Sequence, residues 1–232
     1  MAAWGPQDWW PAHTRFEVIV GAFLTQNTAW TNVERALRRL RAEGVLNLDG
    51  IRRTPLSKLA QLIRSSGYFR QKAQRLKNFV NYVDTRYGGS LARMFAQPTV
   101  ELREELLSLN GVGPETADSI LLYAGGHPVF VVDAYTRRVF ERHGLVTAKA
   151  RYEEIRQLVE RAFEANLPPA FDQPPTSPLN DRRRHKFLTR RIAPVAGVFD
   201  ELHALLVQTA KHHCLKAKAN CGGCPLERFL PK

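Results

Sequence analysis

Three groups of residues in this chain have chemistry beyond what a fold requires. Asp133 closes the apolar run Val129-Phe130-Val131-Val132 and precedes a helix-like stretch carrying Arg137 and Arg138. A carboxylate there caps the helix N-terminus, or it stabilises positive charge developing on a substrate. Gly111-Val112-Gly113-Pro114 stands just ahead of Glu115, Thr116 and Ala117. Two glycines before a helix-start proline make a tight turn between packed helices. Alternatively, they let the free N–H groups of the next helix approach an anion closely. Cys214, Cys221 and Cys224 are the only cysteines, and they crowd at the C-terminal end. An odd, clustered set of this kind reads as a metal site rather than a disulfide framework.

Helices must hold these groups, because the apolar pattern is helical almost throughout. Phe16, Ile19, Val20, Phe23 and Leu24 mark one face of a helix over 15–26, and a basic helix follows over 31–43. Pro55 starts another, which Gly67 stops. Further helices are expected over 71–86, 98–108, 115–124, 134–143, 151–165 and 198–212. The β-like residues before Asp133 are too few for a sheet and read as a connector. The stretch 166–195 is rich in proline and basic residues and reads as an inserted loop. The expected class is all-α.

Apolar residues make up 44% of the chain, enough for a folded core. Lys and Arg number 34 against 22 Asp and Glu, a net charge of +12, which favours a polyanionic partner. Nucleic acid leads over an anionic membrane surface. No signal peptide or long apolar span is read, so the expected location is cytoplasmic, with the nucleoid in a bacterium.

Leu109, Gly111, Val112, Gly113, Thr116 and Ala117, followed by Val132 and Asp133, resemble the endonuclease III branch of the helix–hairpin–helix (HhH-GPD) DNA glycosylases. The likeness runs from about Phe16 to Cys224 and is weakest over 166–195. It implies two helical domains with a DNA groove between them. The expected division is 20–127 against 1–19 joined to 128–232. It also implies base excision, with a damaged nucleotide flipped out of double-stranded DNA by a monomer. Asp133 is then the catalytic carboxylate. Gly111, Val112, Gly113 and Thr116 form a phosphate clamp. Gln26 in Leu24-Thr25-Gln26-Asn27-Thr28 and Tyr68 in Ser66-Gly67-Tyr68 are wedges, and Arg70 and Lys72 lie near phosphates.

Two departures from the family pattern narrow the chemistry. Members that cut the strand carry a lysine at the place of Glu115, and a carboxylate cannot form a Schiff base. Base removal by water is therefore expected. The family's cluster spacing is C-x6-C-x2-C-x5-C; Cys214, Cys221 and Cys224 fit three positions and Leu230 stands at the fourth. A 4Fe–4S cluster, another metal such as zinc, and no metal all stay open. Trp9, Trp10 and Trp30, with Lys211, look like the 3-methyladenine glycosylase subgroup, whose cationic base stacks on electron-rich rings. Tyr135 is a further pocket wall. An alkylated purine is the expected substrate. The alternatives are a glycosylase with lyase activity on other damaged bases, and a DNA-binding module without catalysis.

Overall fold

The structure is a computed structural model and describes residues 4–7, 9–166 and 194–231. Among these residues the regular elements are helices, with one isolated bridge between Cys214 and Ala219 and no sheet. The all-α expectation holds. None of the described helices is long and apolar enough to cross a membrane. The chain divides into two compact units: Ala12–Gly125, and the N-terminal residues up to Pro11 joined with Gly126 onward.

The Ala12–Gly125 unit contains α1 (Arg15–Leu24), α2 (Trp30–Ala42), α3 (Leu48–Arg53), α4 (Leu56–Leu62), α5 (Phe69–Tyr87), α6 (Leu91–Met94), α7 (Thr99–Ser108) and α8 (Pro114–Ser119). A π-helical turn, Ile120–Gly125, continues α8. α1 is the central helix, buried at every position from Phe16 to Leu24, and Phe23 meets Phe79 of α5 edge-on at 5.6 Å. Each such fully buried side chain contributes about 1.5–3 kcal/mol. Thr14 caps α1 by accepting the Glu17 N–H, while the Glu17 carboxylate accepts the His13 N–H and pairs with Arg41. That pairing satisfies a carboxylate that is only 2% exposed.

The other unit contains α9 (Ala134–Arg142), α10 (Tyr152–Asn166) and α11 (Pro194–His212). α11 packs on α9, and Phe199 of α11 touches Phe130 of the connector and Phe163 of α10, each at 5.7 Å between ring centres.

Several boundaries differ from the pattern-based expectation. The middle unit begins at Ala12, not at residue 20, because the capped α1 cannot be divided without losing its buried face. α1 ends at Leu24 since Asn27 adopts a left-handed conformation, φ 51°. α3 and α6 were not expected; helices this short leave no periodicity to read. The segment read as an insertion, 166–195, lies outside the described residues apart from its ends, which belong to α10 and α11.

Candidate functional site

Asp133 sits where the extended connector turns into α9, and it serves as the helix cap. Its Oδ1 accepts the Thr136 N–H at 2.7 Å. One oxygen suffices for that cap. The other, Oδ2, lies 3.5 Å from Nε2 of His203 on α11. Burial pushes the Asp133 carboxyl up, but His203 and the Thr136 N–H outweigh it and hold the group below the ordinary carboxylate range. The side chain keeps 15% of its surface open. It is thus an ionised, largely desolvated carboxylate with residual access, the condition under which it acts most strongly on nearby positive charge.

Aromatic residues extend from this pair. The Trp9 ring meets His203 at 6.0 Å, edge to face, and Lys211 Nζ lies 5.6 Å from the centre of the Trp9 ring. The indole N–H groups of Trp4 and Trp9 are buried with no acceptor among the described residues. Trp10, half-buried, has φ 66°, a conformation that costs a bulky residue strain. Trp4, not singled out from sequence, stacks on His212 at 4.9 Å. Tyr135 carries Arg138 over its ring at 5.1 Å. Trp30 belongs to the other unit, where its indole donates to Glu34 one turn along α2 at 3.0 Å.

The hairpin between α7 and α8 is built from two glycines with different requirements. Gly111 has φ 79°, and a Cβ there would meet Arg75 Nε at 2.1 Å, so the fold itself demands glycine. Gly113 has φ −95°, open to any residue, and a Cβ there would meet nothing within 4 Å. Nothing within the chain requires glycine at 113. Val112 packs inward, 7% exposed. The angle of the hairpin is fixed by Arg103 of α7, whose Nε and Nη2 reach both oxygens of the fully buried Asp118 at 2.6 and 3.1 Å. Glu115 is exposed in the first turn of α8.

Two loops are tied to this hairpin or to each other. Gln26 donates to Gly111 O at 3.0 Å and to Thr116 Oγ1 at 2.9 Å, and accepts from Arg75 at 2.6 Å. Its side chain lies on the hairpin rather than projecting as a wedge, since all three interactions hold it inward. Asn27 beside it is exposed. Tyr68 stands 67% exposed at φ 44° and Arg70 is exposed next to it.

Lys72 and Thr116 correct the expectation of DNA contacts, because both are inside. Lys72 is 1% exposed, and Nζ donates to Leu24 O at 2.9 Å and Ser66 O at 2.6 Å. It joins the loop after α1 to the loop before α5. Burial, with Arg75 nearby, pushes its ammonium down to about 8. Thr116, 7% exposed, spends its hydroxyl on Gln26.

Cys214 is buried and Cys221 and Cys224 are half-buried. Among the described residues no three His, Cys, Asp or Glu side chains stand together to hold an ion. Guanidinium groups of α9 hold the segment instead. Arg142 donates to Cys214 Sγ at 3.3 Å and to Leu215 O at 2.7 Å, and Arg138 donates to Cys214 O at 2.6 Å. Leu230 stands at the fourth place, so the motif supplies three thiolates where a four-cysteine cluster takes four.

The sequence reading missed His203, Arg75 and Asp118. His203 shares a helical face with Phe199 and Val207 and carries no local signal other than being polar on an apolar stripe. Arg75 and Asp118 are ordinary charged helix residues until the partner element is known.

The profile of the HhH-GPD superfamily of base excision DNA repair proteins matches residues 20–165. A Methanocaldococcus jannaschii protein provisionally described as a DNA repair glycosylase is 43% identical over 97% of this chain and 90% of its own length. Endonuclease III of Thermotoga maritima is 30% identical over 66% of this chain and 67% of its own. Among solved structures, the H. pylori 3-methyladenine DNA glycosylase bound to 1,N6-ethenoadenine superposes with a TM-score of 0.70. It is 30% identical and covers 89% of each chain. A non-covalent endonuclease III–DNA complex, at 22% identity and TM-score 0.68, shares the fold.

Proposed function

Since this chain belongs to the HhH-GPD superfamily of base excision DNA repair proteins, we propose that it is a monofunctional DNA glycosylase that frees an alkylated purine and leaves the strand uncut. One observation carries this reading. Asp133 is an ionised, desolvated carboxylate with an oxygen left over from its cap, while Glu115 occupies the place of the Schiff-base lysine.

Cleavage of the N-glycosidic bond develops positive charge on the sugar, as in glycoside hydrolysis. Asp133 stabilises that charge through Oδ2 and orients the attacking water; the water oxygen bonds to the sugar carbon and gives its proton to the carboxylate, which passes it to solvent, as the base leaves with the bonding electrons. A purine alkylated on a ring nitrogen such as N3 is already positively charged in the nucleotide, so it departs readily and stacks well on electron-rich rings. Trp9, Trp10 and Tyr135, in the unit of Asp133, suit that stacking; each face adds about 0.5–2 kcal/mol. The likeness to a 3-methyladenine glycosylase at 30% identity supports the same substrate class.

The duplex itself is held by charge and backbone. The chain's net charge of +12 supplies sequence-independent affinity. The hairpin offers the Gly111 and Gly113 N–H groups to a phosphate, while Val112 N–H is spent on Leu109 O, and the open space at Gly113 admits close approach. Tyr68 and Asn27 are exposed enough to enter the duplex, with Arg70 beside them on a phosphate. Gln26 fills a vacated base position only by releasing its three hydrogen bonds. A lyase reading requires another amine; Lys211, over the Trp9 ring, is the candidate that borohydride trapping would reveal. Incubation of methylated duplex DNA, scored for free base and for nicks before alkali, tests the proposal.

A further inference from the structure

Resting on the reading of Asp133 as the catalytic carboxylate, we propose that His203 is its positioning residue: the imidazole holds Oδ2, and its proton keeps Asp133 ionised as the medium turns acid. The cap already restricts the carboxylate, because rotating it sacrifices the 2.7 Å bond from Thr136 N–H. That leaves Oδ2 facing Nε2 at 3.5 Å, an ion-pair distance and long for a neutral hydrogen bond. His203 is itself held. It is 4% exposed on α11, which packs along α9, with Trp9 at 6.0 Å and Phe130 at 6.4 Å from its ring.

A carboxylate this desolvated, with one neutral N–H for company, would take up a proton well above the usual range. Positive charge on the facing imidazole opposes that uptake by favouring the ionised carboxylate. The remaining charged groups around the pair are few. Glu160 of α10 is engaged with the Phe130 N–H, Glu201 of α11 with the Gln7 N–H, and Lys211 lies at Trp9. Asp200 precedes His203 on its own helix. His203 is the titratable partner that faces Oδ2, at 3.5 Å, so the protonation of Asp133 is coupled first to it.

Single-turnover release of 3-methyladenine from methylated duplex DNA, followed from about pH 4 to about pH 8, tests this. His203→Gln keeps a donor at the place of Nε2 without the charge. The acid limb of its profile is expected to move to higher pH, with the plateau rate nearly unchanged. His203→Leu loses both donor and charge, and its rate falls at least about tenfold at every pH, as for one lost bond to a charged group. Variants that keep the wild-type limb overturn the proposal. A second readout is independent of activity: imidazole titration by NMR. Asp133→Asn is expected to lower the His203 midpoint, and an unmoved midpoint also overturns the proposal, whether or not the His203 variants fold. If instead Asp133→Asn releases base as fast as wild type, the reading of Asp133 has failed, while the titration still reports on the pair.

Discussion

Asp133 divides its carboxylate between two partners: Oδ1 accepts the Thr136 N–H at 2.7 Å, and Oδ2 faces His203 Nε2 at 3.5 Å. The structural and chemical uses of this residue therefore do not compete. The cap aligns the side chain, and the desolvated remainder of the group is available to a developing cation.

The two hairpin glycines are expected to respond differently to alanine. Gly111→Ala forces φ 79° on a side chain aimed at Arg75 and costs at least about 1–2 kcal/mol of stability. Gly113→Ala changes stability by less than about 1 kcal/mol. It weakens binding to undamaged duplex about tenfold, the loss of one bond to a charged phosphate. Urea unfolding and fluorescence anisotropy separate the two. A Gly113→Ala variant with wild-type affinity removes the hairpin from the DNA contact.

Lys72 predicts a pH signature in stability. Its ammonium releases its proton near pH 8 in the folded chain and near 10.5 when unfolded. Between those values the unfolded chain binds more protons, so rising pH favours the folded form. Wild type is expected to gain stability relative to Lys72→Met across that window, with little relative change below it. Parallel curves of unfolding free energy against pH would contradict this.

The Arg103–Asp118 pair sets the hairpin from behind. Asp118→Asn leaves a guanidinium without its carboxylate and is expected to cost about 3 kcal/mol in chemical unfolding, since one partner of a buried pair is removed. An effect below about 1 kcal/mol would mean that Arg103 finds water instead.

The C-terminal cysteines are expected to be dispensable for folding. Iron and acid-labile sulfide in purified protein should fall far below cluster stoichiometry, and Cys221→Ser should unfold like wild type. Stoichiometric iron would show that the arginine-held arrangement around Cys214 is not the whole state of this segment.

Local pattern made much of this legible. Helical periodicity, the glycines at 111 and 113, and the carboxylate after an apolar run each follow from nearest neighbours in sequence. The long-range ties do not. Lys72 read as a phosphate ligand because a lysine after a surface loop is usually solvated. Its burial depends on Leu24 O and Ser66 O, which only the packing of α1 against α5 brings together. Gln26 misled in the same way, its amide being claimed by a hairpin far along the chain. His203 left no trace, because a histidine on an apolar helix face is chemically silent until α9 is laid beside it.

The central claim is tested most directly by single-turnover incubation of wild type and Asp133→Asn with methylated duplex DNA, with and without borohydride and alkali. Wild type should free 3-methyladenine, leave the strand intact until alkali is added, and trap no covalent adduct. Asp133→Asn should release base at least about 100-fold more slowly, on the scale of losing one electrostatic stabiliser. A trapped adduct, nicking without alkali, or an Asp133→Asn rate equal to wild type would contradict the account.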